Sequence, residues 1–361
     1  MPTAPLLSIG IIFKNEARCI ERCLQSLEPL RSAVCCELVM ADTGSSDASR
    51  QIAERYADEV FDFEWVDDFA AARNAVMDRC HGKWYFSIDC NEWLDADILE
   101  LTAFIRGRNQ ANFAFVSIRN YFSAELESGG PYSDFYTARI LRMSTGQRFH
   151  NAIHETWTVC EPFEWLTRTI LHHDGYFFQD PQARKNKEKR NMTLLRKRLA
   201  ENPEDLAILV QCVESGGNDE KFMEYIRRAV KIVKERKSPQ LTLGAGLLCH
   251  AVGAALAREL PELEEWLALA QTMFPHSMFT LVDINHMVFM HAYQEKKWEK
   301  AICSGEGYRK GLQKLKACPR PKDVVEDLAQ GSVRFGSPDS EQTLLICLAD
   351  AYCQTGQGEK R

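Results

Sequence analysis

The sequence lacks the short motifs that would assign it at once to several well-known classes of protein. It has no G-x-G-x-x-G after its first apolar segment and no G-x-x-x-x-G-K-[ST] anywhere. Glycine-rich loops of the dinucleotide-binding and P-loop kinds are therefore not expected to hold a phosphate here. Its thirteen cysteines include no C-x-x-C pair, which argues against a zinc site or a dithiol centre. Their odd number and scattered positions favour free thiols in a reducing compartment.

The sequence also lacks a surplus of positive charge and a long apolar segment. A formal net charge of −7 gives no general attraction to nucleic acid, so nucleic acid is not an expected partner. The most apolar later stretch, 244–257, is about fourteen residues long and contains His250, too short to span a bilayer. The first apolar run has no basic segment before it and ends at Lys14, unlike a signal peptide. We expect no integral membrane segment and a cytoplasmic location.

What is present in the first half is an alternation of strand-like and helix-like segments. Apolar runs of strand length occur at 7–13, 36–41, 60–65 and 84–88, and segments with helical spacing of apolar residues separate them. Further strands are predicted at 113–120, 135–143 and 165–172. This order predicts an α/β domain, 1–180, built on a doubly wound, mostly parallel sheet.

The second half changes character after Pro181, where strand-like runs disappear. Helix-period segments are predicted near 187–200, 206–213, 222–233, 241–260, 263–274 and 344–356. Short polar breaks join them into hairpins, and the last segment resembles one helix of a tetratricopeptide repeat. We therefore predict an all-α, repeat-like domain over 181–361. Its last helix would lack a partner, which a homodimer could supply.

Polar clusters follow three of the predicted parallel strands. They are Asn15-Glu16, Asp42-Thr43-Gly44 and the segment that begins at Asp89. Ligands of open α/β sheets bind beyond the carboxyl ends of the strands, where these clusters should meet. Without glycine-rich loops, a divalent cation could neutralise a bound diphosphate, and a carboxylate such as Asp89 is a suitable ligand for it.

The order of these motifs resembles glycosyltransferase family 2, whose members have the GT-A fold. The resemblance rests on Lys-Asn-Glu (14–16), Ala-Asp-Thr-Gly-Ser-Ser-Asp (41–47), Asp-Phe-Ala-Ala-Ala-Arg-Asn (68–74) and Asp-Cys-Asn-Glu-Trp-Leu (89–94), and it covers about the first 180 residues. It implies a nucleotide-sugar donor. By this resemblance, Asp42 contacts the base or ribose, Asn15 and Glu16 shape the same pocket, and Arg73 supports the base or diphosphate.

The resemblance also implies a Mn²⁺ or Mg²⁺ cofactor, with Asp89 opening the metal-binding motif and contacting the donor. His173, in His-Asp-Gly-Tyr (173–176), would complete the metal site. The chain departs from the family at Asn91, where a second aspartate is usual. An amide oxygen can ligate a hard cation but adds no charge, so metal affinity should fall. Glu92 is an alternative ligand, whereas Asp95 and Asp97 are interpreted as the start of a helix.

Inverting transfer needs a base to deprotonate the acceptor opposite the leaving diphosphate. Glu155 is the first candidate, with His154 and Asp134 as alternatives. The competing interpretation of Glu155 is a structural ion pair with Arg139 or Arg142.

A basic run follows the His-Asp-Gly-Tyr element. Lys185 and Arg190 are near enough to it in sequence to be candidate ligands of the diphosphate leaving group. The competing interpretation is that both side chains lie on the solvated face of a helix.

Together these observations predict an inverting hexosyltransferase that moves a sugar from a nucleotide diphosphate, preferably UDP, to an acceptor. Repeat-like helices form grooves suited to peptides, and the resemblance extends to family members that glycosylate bacteriocin peptides. The acceptor is therefore expected to be a peptide or protein, with a saccharide as the alternative. The competing hypothesis is a degenerate, glycosyltransferase-like scaffold, for which Asn91 is the main support. A nucleotidyltransferase would need a glycine-rich, basic segment after the first strand, which is absent.

Overall fold

A computed structural model of the protein describes residues 4–121, 132–174, 181–216, 219–237, 243–317, 333–336 and 338–357. The chain divides into two compact units, Met1–Asn186 and Lys187–Arg361. The first unit contains all the described strands, and the second is helical. The predicted fold class, an α/β region followed by an all-α region, is therefore confirmed.

The first unit alternates strands and helices in the way that the sequence predicts. Its strands are β1 (Leu7–Phe13), β2 (Cys36–Asp42), β3 (Glu59–Asp62), β4 (Trp84–Ser87), β5 (Glu92–Leu94), β6 (Phe113–Tyr121), β7 (Tyr132–Arg142) and β8 (Phe163–His173). Its helices before residue 175 are α1 (Ile20–Ala33), α2 (Ser49–Ala53), α3 (Phe69–Met77) and α4 (Leu99–Arg106).

The described strands form one sheet in the order β3-β2-β1-β4-β7-β6-β8-β5. The pairs β3/β2, β2/β1, β1/β4 and β6/β8 run parallel, and β4/β7, β7/β6 and β8/β5 run antiparallel. Alternate residues of β2 face two separate apolar cores: Leu38 and Met40 pack into one, and Val39 and Ala41 pack into the other. Burial on both faces explains why the sequence of this strand is continuously apolar.

The parallel half of the sheet brings the three polar clusters to one edge. Phe13, at the end of β1, lies opposite Asp42, at the end of β2. On the other side of β1, Gly10 lies opposite Ser87, two residues before Asp89. Because neighbouring parallel strands end on the same side, the segments that follow them lie side by side.

One strand of this edge was not predicted. Strand β5 has three residues and pairs with the end of β8, so that Glu92 lies opposite His173 and Leu94 opposite Leu171. A three-residue strand is too short to show a period in the sequence. Tertiary pairing with β8 alone defines it, and this pairing places the chain around Asp89 beside the histidines.

The helical unit contains more helices than the sequence analysis predicted. The predicted helices correspond to α5 (Pro181–Glu201), α6 (Leu206–Ser215), α7 (Phe222–Glu235), α8 (Gly244–Arg258), α9 (Leu263–Met273) and α12 (Pro338–Gln354). The unpredicted ones are a π-helical turn, Phe279–Ile284, and helices α10 (Asn285–Gln294) and α11 (Trp298–Ala317). Among the described residues, no helix is both long and apolar enough to cross a bilayer.

The π-helical turn holds a buried carboxylate that binds a separate piece of chain. Asp283 is fully buried, and its two oxygens accept the backbone N–H groups of Arg334 at 3.1 Å and Phe335 at 3.0 Å. Tyr308 donates its hydroxyl to the carbonyl of Phe335 at 2.8 Å. The irregular turn therefore directs Asp283 at this segment, which is a common use of π-helical turns.

The stability of the helical unit should depend on pH through Asp283. Burial raises the pKa of Asp283 to about 6, whereas the pKa of an aspartate in the unfolded chain is about 4. The native state therefore binds more protons in this window, and stability falls as pH rises from about 4 to about 6. Relative to the wild type, the free energy of unfolding of Asp283→Asn should therefore increase by about 2 kcal/mol over this pH range, as measured by urea unfolding. A stability difference independent of pH would contradict this assignment.

Candidate functional site

The loops after β1 and β2 are joined by hydrogen bonds that involve the predicted donor-binding residues. Asp42 is buried, and its Oδ1 accepts the N–H groups of Gly44 at 3.0 Å and Ser45 at 2.7 Å. The Oδ1 of Asn15 accepts the N–H of Ser46 at 2.7 Å, and Ser49 Oγ accepts the N–H of Glu16 at 2.7 Å. The structure thus brings Asn15, Glu16 and Asp42 together in two loops that are joined by hydrogen bonds.

Arg73 is the centre of the next part of the site. It lies on α3, whose N-terminus is capped by Asp68 accepting the N–H of Ala71, and only 5% of it is exposed. Its guanidinium donates to Asp89 Oδ1 at 2.5 Å, to Glu155 Oε1 at 2.6 Å and to Ser87 Oγ at 3.0 Å. A single buried cation thereby connects α3, the end of β4 and the loop that contains Glu155.

A second arginine completes the charge balance around Asp89. Arg139, on β7, lies 3.5 Å from Asp89 Oδ2 and also pairs with the buried Glu92. Burial would raise the pKa of Asp89, but the guanidinium groups of Arg73 and Arg139 outweigh it and hold the pKa well below its usual range. Burial raises the pKa of Glu92 to about 7 against the attraction of Arg139. Asp89 is therefore held in its anionic form more strongly than Glu92 is.

His173 and Asn91 meet at the neighbouring edge of the sheet. The Nδ2 of Asn91 lies 3.1 Å from Nε2 of His173, and Asn120 Oδ1 lies 2.6 Å from Nδ1 of the same ring. The predicted pairing of Asn91 with His173 in space is therefore observed. Asp89 lies close enough for His173 to lower its pKa.

His172 lies in a different environment from His173. It is buried, its Nδ1 lies 2.8 Å from the hydroxyl of Tyr121, and its Nε2 lies 3.0 Å from Asp95 Oδ2. Its ring also stacks on Trp93. These contacts are those of a structural residue packed within the sheet.

The donor set suits a divalent cation that a bound diphosphate also ligates. Asp89 supplies a carboxylate, Asn91 an amide and His173 an imidazole, but no three His, Cys, Asp or Glu side chains of the described residues converge as a closed metal site. Mg²⁺ commonly takes one or two carboxylates and fills its other positions with substrate phosphates and water. The residues therefore fit a shared cation better than a permanently bound one.

The three candidate bases lie in three different settings. Glu155 is mostly buried and pairs with Arg73, whereas the competing sequence interpretation had named Arg139 or Arg142 as its partner. His154 is exposed and has a φ of 52°. Asp134 forms a bidentate ion pair with Arg119, at 2.9 and 2.8 Å. Glu155 is the candidate that the structure connects to Asp89, through Arg73.

The two predicted phosphate ligands of the basic run lie on α5. Lys185 and Arg190 are both exposed, and Arg190 donates to Asn191 Oδ1 at 3.2 Å. Gly175 and Tyr176 of the His-Asp-Gly-Tyr element lie outside the described residues. The part of these two side chains in donor binding stays a prediction.

The sequence did not predict the contacts of three residues that the structure places in the site. Ser87 and Arg139 contact the charge cluster around Asp89, and Asn120 contacts His173. Of the three, only Ser87 is a polar residue in an otherwise apolar strand, because the strands of Asn120 and Arg139 contain other polar residues. Such a residue is costly to bury unless it finds a partner, which is the reason to suspect a site.

This chain is similar in sequence to several known proteins. Residues 8–174 match the family model described as Glycosyl transferase family 2. The prophage-derived glycosyltransferase SunS of Bacillus subtilis is 26% identical over 241 residues, covering 64% of this chain and 54% of SunS. A TPR repeat-containing protein of Synechococcus elongatus is 28% identical over 277 residues, covering 72% of this chain and 63% of that protein. The chain thus spans about half to two thirds of the length of these relatives.

Among solved structures, S. aureus TarS 1-349 in complex with UDP-GlcNAc is 14% identical to this chain. The alignment covers 86% of this chain and 91% of that one, with a TM-score of 0.39. The family model matches residues 8–174, which make up most of the first unit.

Removing the buried cation should destabilise the first unit strongly. In Arg73→Met, Asp89 and Glu155 lose the buried counter-ion that they share. We therefore expect the free energy of unfolding to fall by about 3 kcal/mol, as measured with urea. Arg55→Met is the matched control, because Arg55 pairs with Glu21 on the surface with 58% of its side chain exposed. The free energy of unfolding of Arg55→Met should fall by less than about 1 kcal/mol. Equal losses in the two variants would show that the Arg73 cluster is not the constraint inferred here.

Proposed function

We propose that this chain, whose residues 8–174 form a glycosyltransferase family 2 domain, is a metal-dependent, inverting glycosyltransferase that uses a UDP-sugar. The catalytic domain would comprise residues 1–180 and the helical domain residues 181–361. The observation that carries the proposal is the convergence of Asp42, Asn15 and Asp89 at the carboxyl edge of adjacent parallel strands. A ligand at that edge would reach all three motifs at once.

The donor would bind with its nucleoside over the loops that follow β1 and β2. Asp42 is held by the N–H groups of Gly44 and Ser45, which fixes its carboxylate as an acceptor for the base or ribose. Asn15 and Glu16 would form the adjoining wall, because hydrogen bonds already join their loop to residues 45–49. A preformed pocket of this kind reduces the entropy cost of donor binding.

The diphosphate would lie beside Asp89, where Asp89, Asn91 and His173 would hold a Mn²⁺ or Mg²⁺ ion. When bound, that ion would neutralise the charge that develops on the leaving UDP. Arg73 and Arg139 hold Asp89 in place from the protein side, so the carboxylate needs no rearrangement to act as a ligand. Lys185 and Arg190 are our further candidates for phosphate contacts, on the strength of their sequence position.

Glu155 is our candidate for the catalytic base, with His154 as the alternative. Arg73 Nε donates to Glu155 Oε1, so we assign Oε2 to take the proton of the acceptor. The deprotonated acceptor would attack the anomeric carbon of the sugar from the side opposite UDP, the bond to UDP would break, and the configuration would invert.

A peptide or protein is the acceptor that we propose, with a saccharide as the alternative. Packed helical hairpins form grooves suited to extended chains, and the helical unit has a cleft of about 250 Å³ among α9, α10 and α11. Apolar Leu267, Ile284 and Val288 line this cleft together with the charged Glu264 and Lys300. Such a lining suits a peptide that carries both apolar and charged side chains.

Calorimetry with UDP and with GDP, each with and without Mn²⁺, is the first test. We expect wild-type protein to bind UDP in a Mn²⁺-dependent manner, and Asp89→Ala to weaken that binding by about tenfold or more. Asp78→Ala is the matched control, because Asp78 is an exposed carboxylate paired with Arg148. Glu155→Gln should keep UDP binding but slow UDP release from a UDP-sugar by about 100-fold or more. Wild-type protein that binds neither nucleotide would contradict the proposal.

Asn91 gives a separate test that distinguishes an active enzyme from a scaffold. Asn91→Asp adds a second carboxylate, and we expect it to tighten Mn²⁺ binding in the presence of UDP, as measured by electron paramagnetic resonance. Activity in the wild type together with tighter binding in the variant would mean that Asn91 tunes the metal site. Nucleotide binding that appears only in Asn91→Asp would support a degenerate scaffold instead.

A further inference from the structure

The ring of His173 lies between two side-chain amides on neighbouring parts of the sheet. Asn120, at the end of β6, lies directly opposite His173 in the parallel register of β6 and β8. Its Oδ1 is 2.6 Å from Nδ1 of the ring, and Asn91 Nδ2 is 3.1 Å from Nε2. Only 5% of Asn120 is exposed, so a lost hydrogen bond there would not be replaced readily by water.

These two contacts assign the proton of the neutral ring. An amide oxygen can only accept, so Nδ1 of His173 must carry the proton that it donates to Asn120. Nε2 then has a lone pair, to which the amide of Asn91 donates. Both hydrogen bonds agree with the same tautomer, and that tautomer directs a metal-binding lone pair toward Asn91.

The adjacent histidine has the opposite arrangement. Nε2 of His172 lies 3.0 Å from Asp95 Oδ2 and donates to it, while Nδ1 lies 2.8 Å from the hydroxyl of Tyr121 and accepts from it. In the neutral ring the proton of His172 is therefore on Nε2. Successive residues of a strand face opposite sides of the sheet, which is how two adjacent histidines acquire different partners and different tautomers.

We propose that Asn120 is a positioning residue that fixes His173 as its Nδ1–H tautomer and presents Nε2 as a metal ligand. This proposal rests on the proposed function for its cation, but its first step concerns the metal-free protein. The hydrogen bond to the distal nitrogen of a metal-binding histidine commonly sets the orientation and tautomer of the ring. In this chain the side-chain oxygen of Asn120 accepts that hydrogen bond. The N–H of Asn91 donates to the lone pair of Nε2, and a bound cation would take the place of this N–H.

The tautomer can be measured without metal or substrate. In protein labelled with nitrogen-15 histidine, long-range proton–nitrogen correlation spectra distinguish a protonated ring nitrogen from one with a lone pair. We expect His173 to appear as the Nδ1–H form and His172 as the Nε2–H form, each assigned by its loss in His173→Gln or His172→Gln. Asn120→Leu, which removes the acceptor, should abolish the preference of His173, whereas Asn120→Asp, which retains an acceptor, should preserve it.

Binding of Mn²⁺ in the presence of UDP is the second readout. Asn120→Leu should weaken it by about 10- to 100-fold, and Asn120→Asp should keep it at or above the wild-type level. Tyr121→Phe is the matched control on the same strand, because it removes the hydroxyl that contacts His172. This control should alter neither the His173 tautomer nor Mn²⁺ binding.

The outcomes separate this inference from the proposed function. A wild-type His173 in the Nε2–H form, or one whose tautomer is unchanged in Asn120→Leu, overturns the positioning role. The expected tautomers with no Mn²⁺ binding by the wild type would support the positioning of His173 by Asn120 and overturn the metal site. If Asn120→Leu fails to fold, the wild-type spectrum and Asn120→Asp still decide the matter.

Discussion

The arrangement of the site depends on one buried cation shared between carboxylates. Arg73 contacts Ser87 and Asp89, which follow each other closely at the end of β4, and Glu155, from a loop distant in sequence. A buried guanidinium with fewer partners would be left with an uncompensated charge and a large desolvation cost. The loss of any one partner would therefore destabilise the whole cluster. The position of Asp89, and with it the position of any ligand beside it, follows from this cluster.

Charge is distributed unevenly around that cluster, and the distribution suits an anionic ligand combined with a cation. Arg73 and Arg139 lower the pKa of Asp89, whereas burial raises the pKa of Glu92 to about 7. Two neighbouring carboxyl groups are thereby made different by their surroundings. Opposite pKa shifts of two neighbouring carboxyl groups are typical of functional sites.

The histidine pair shows how the sheet gives two identical neighbouring residues different surroundings. His172 faces Trp93, Tyr121 and Asp95, where it packs as part of the structure. His173 faces Asn91 and Asn120, beside Asp89. The two-residue period of the strand produces this division, so a one-residue shift of β8 would exchange the two environments.

The sequence by itself determined the fold class and most of the first unit. Strands β1, β2, β4 and β6 are mostly apolar segments of strand length, and β7 and β8 contain shorter apolar segments. Such segments can be recognised without tertiary information. The clusters at Asn15, Asp42 and Asp89 could also be placed at one edge, because parallel strands end on the same side. The match of residues 8–174 to the family model agrees with the resemblance that those same motifs carry.

Only the tertiary structure decided which polar side chains meet. Strand β5 exists because it pairs with the end of β8, and Glu155 pairs with Arg73 instead of Arg139 or Arg142. Asn120 could be connected with His173 only through the register of β6 and β8, which joins residues 53 positions apart. Periodicity reports the environment of one segment at a time, whereas these contacts depend on register and on the sharing of buried charge between distant segments.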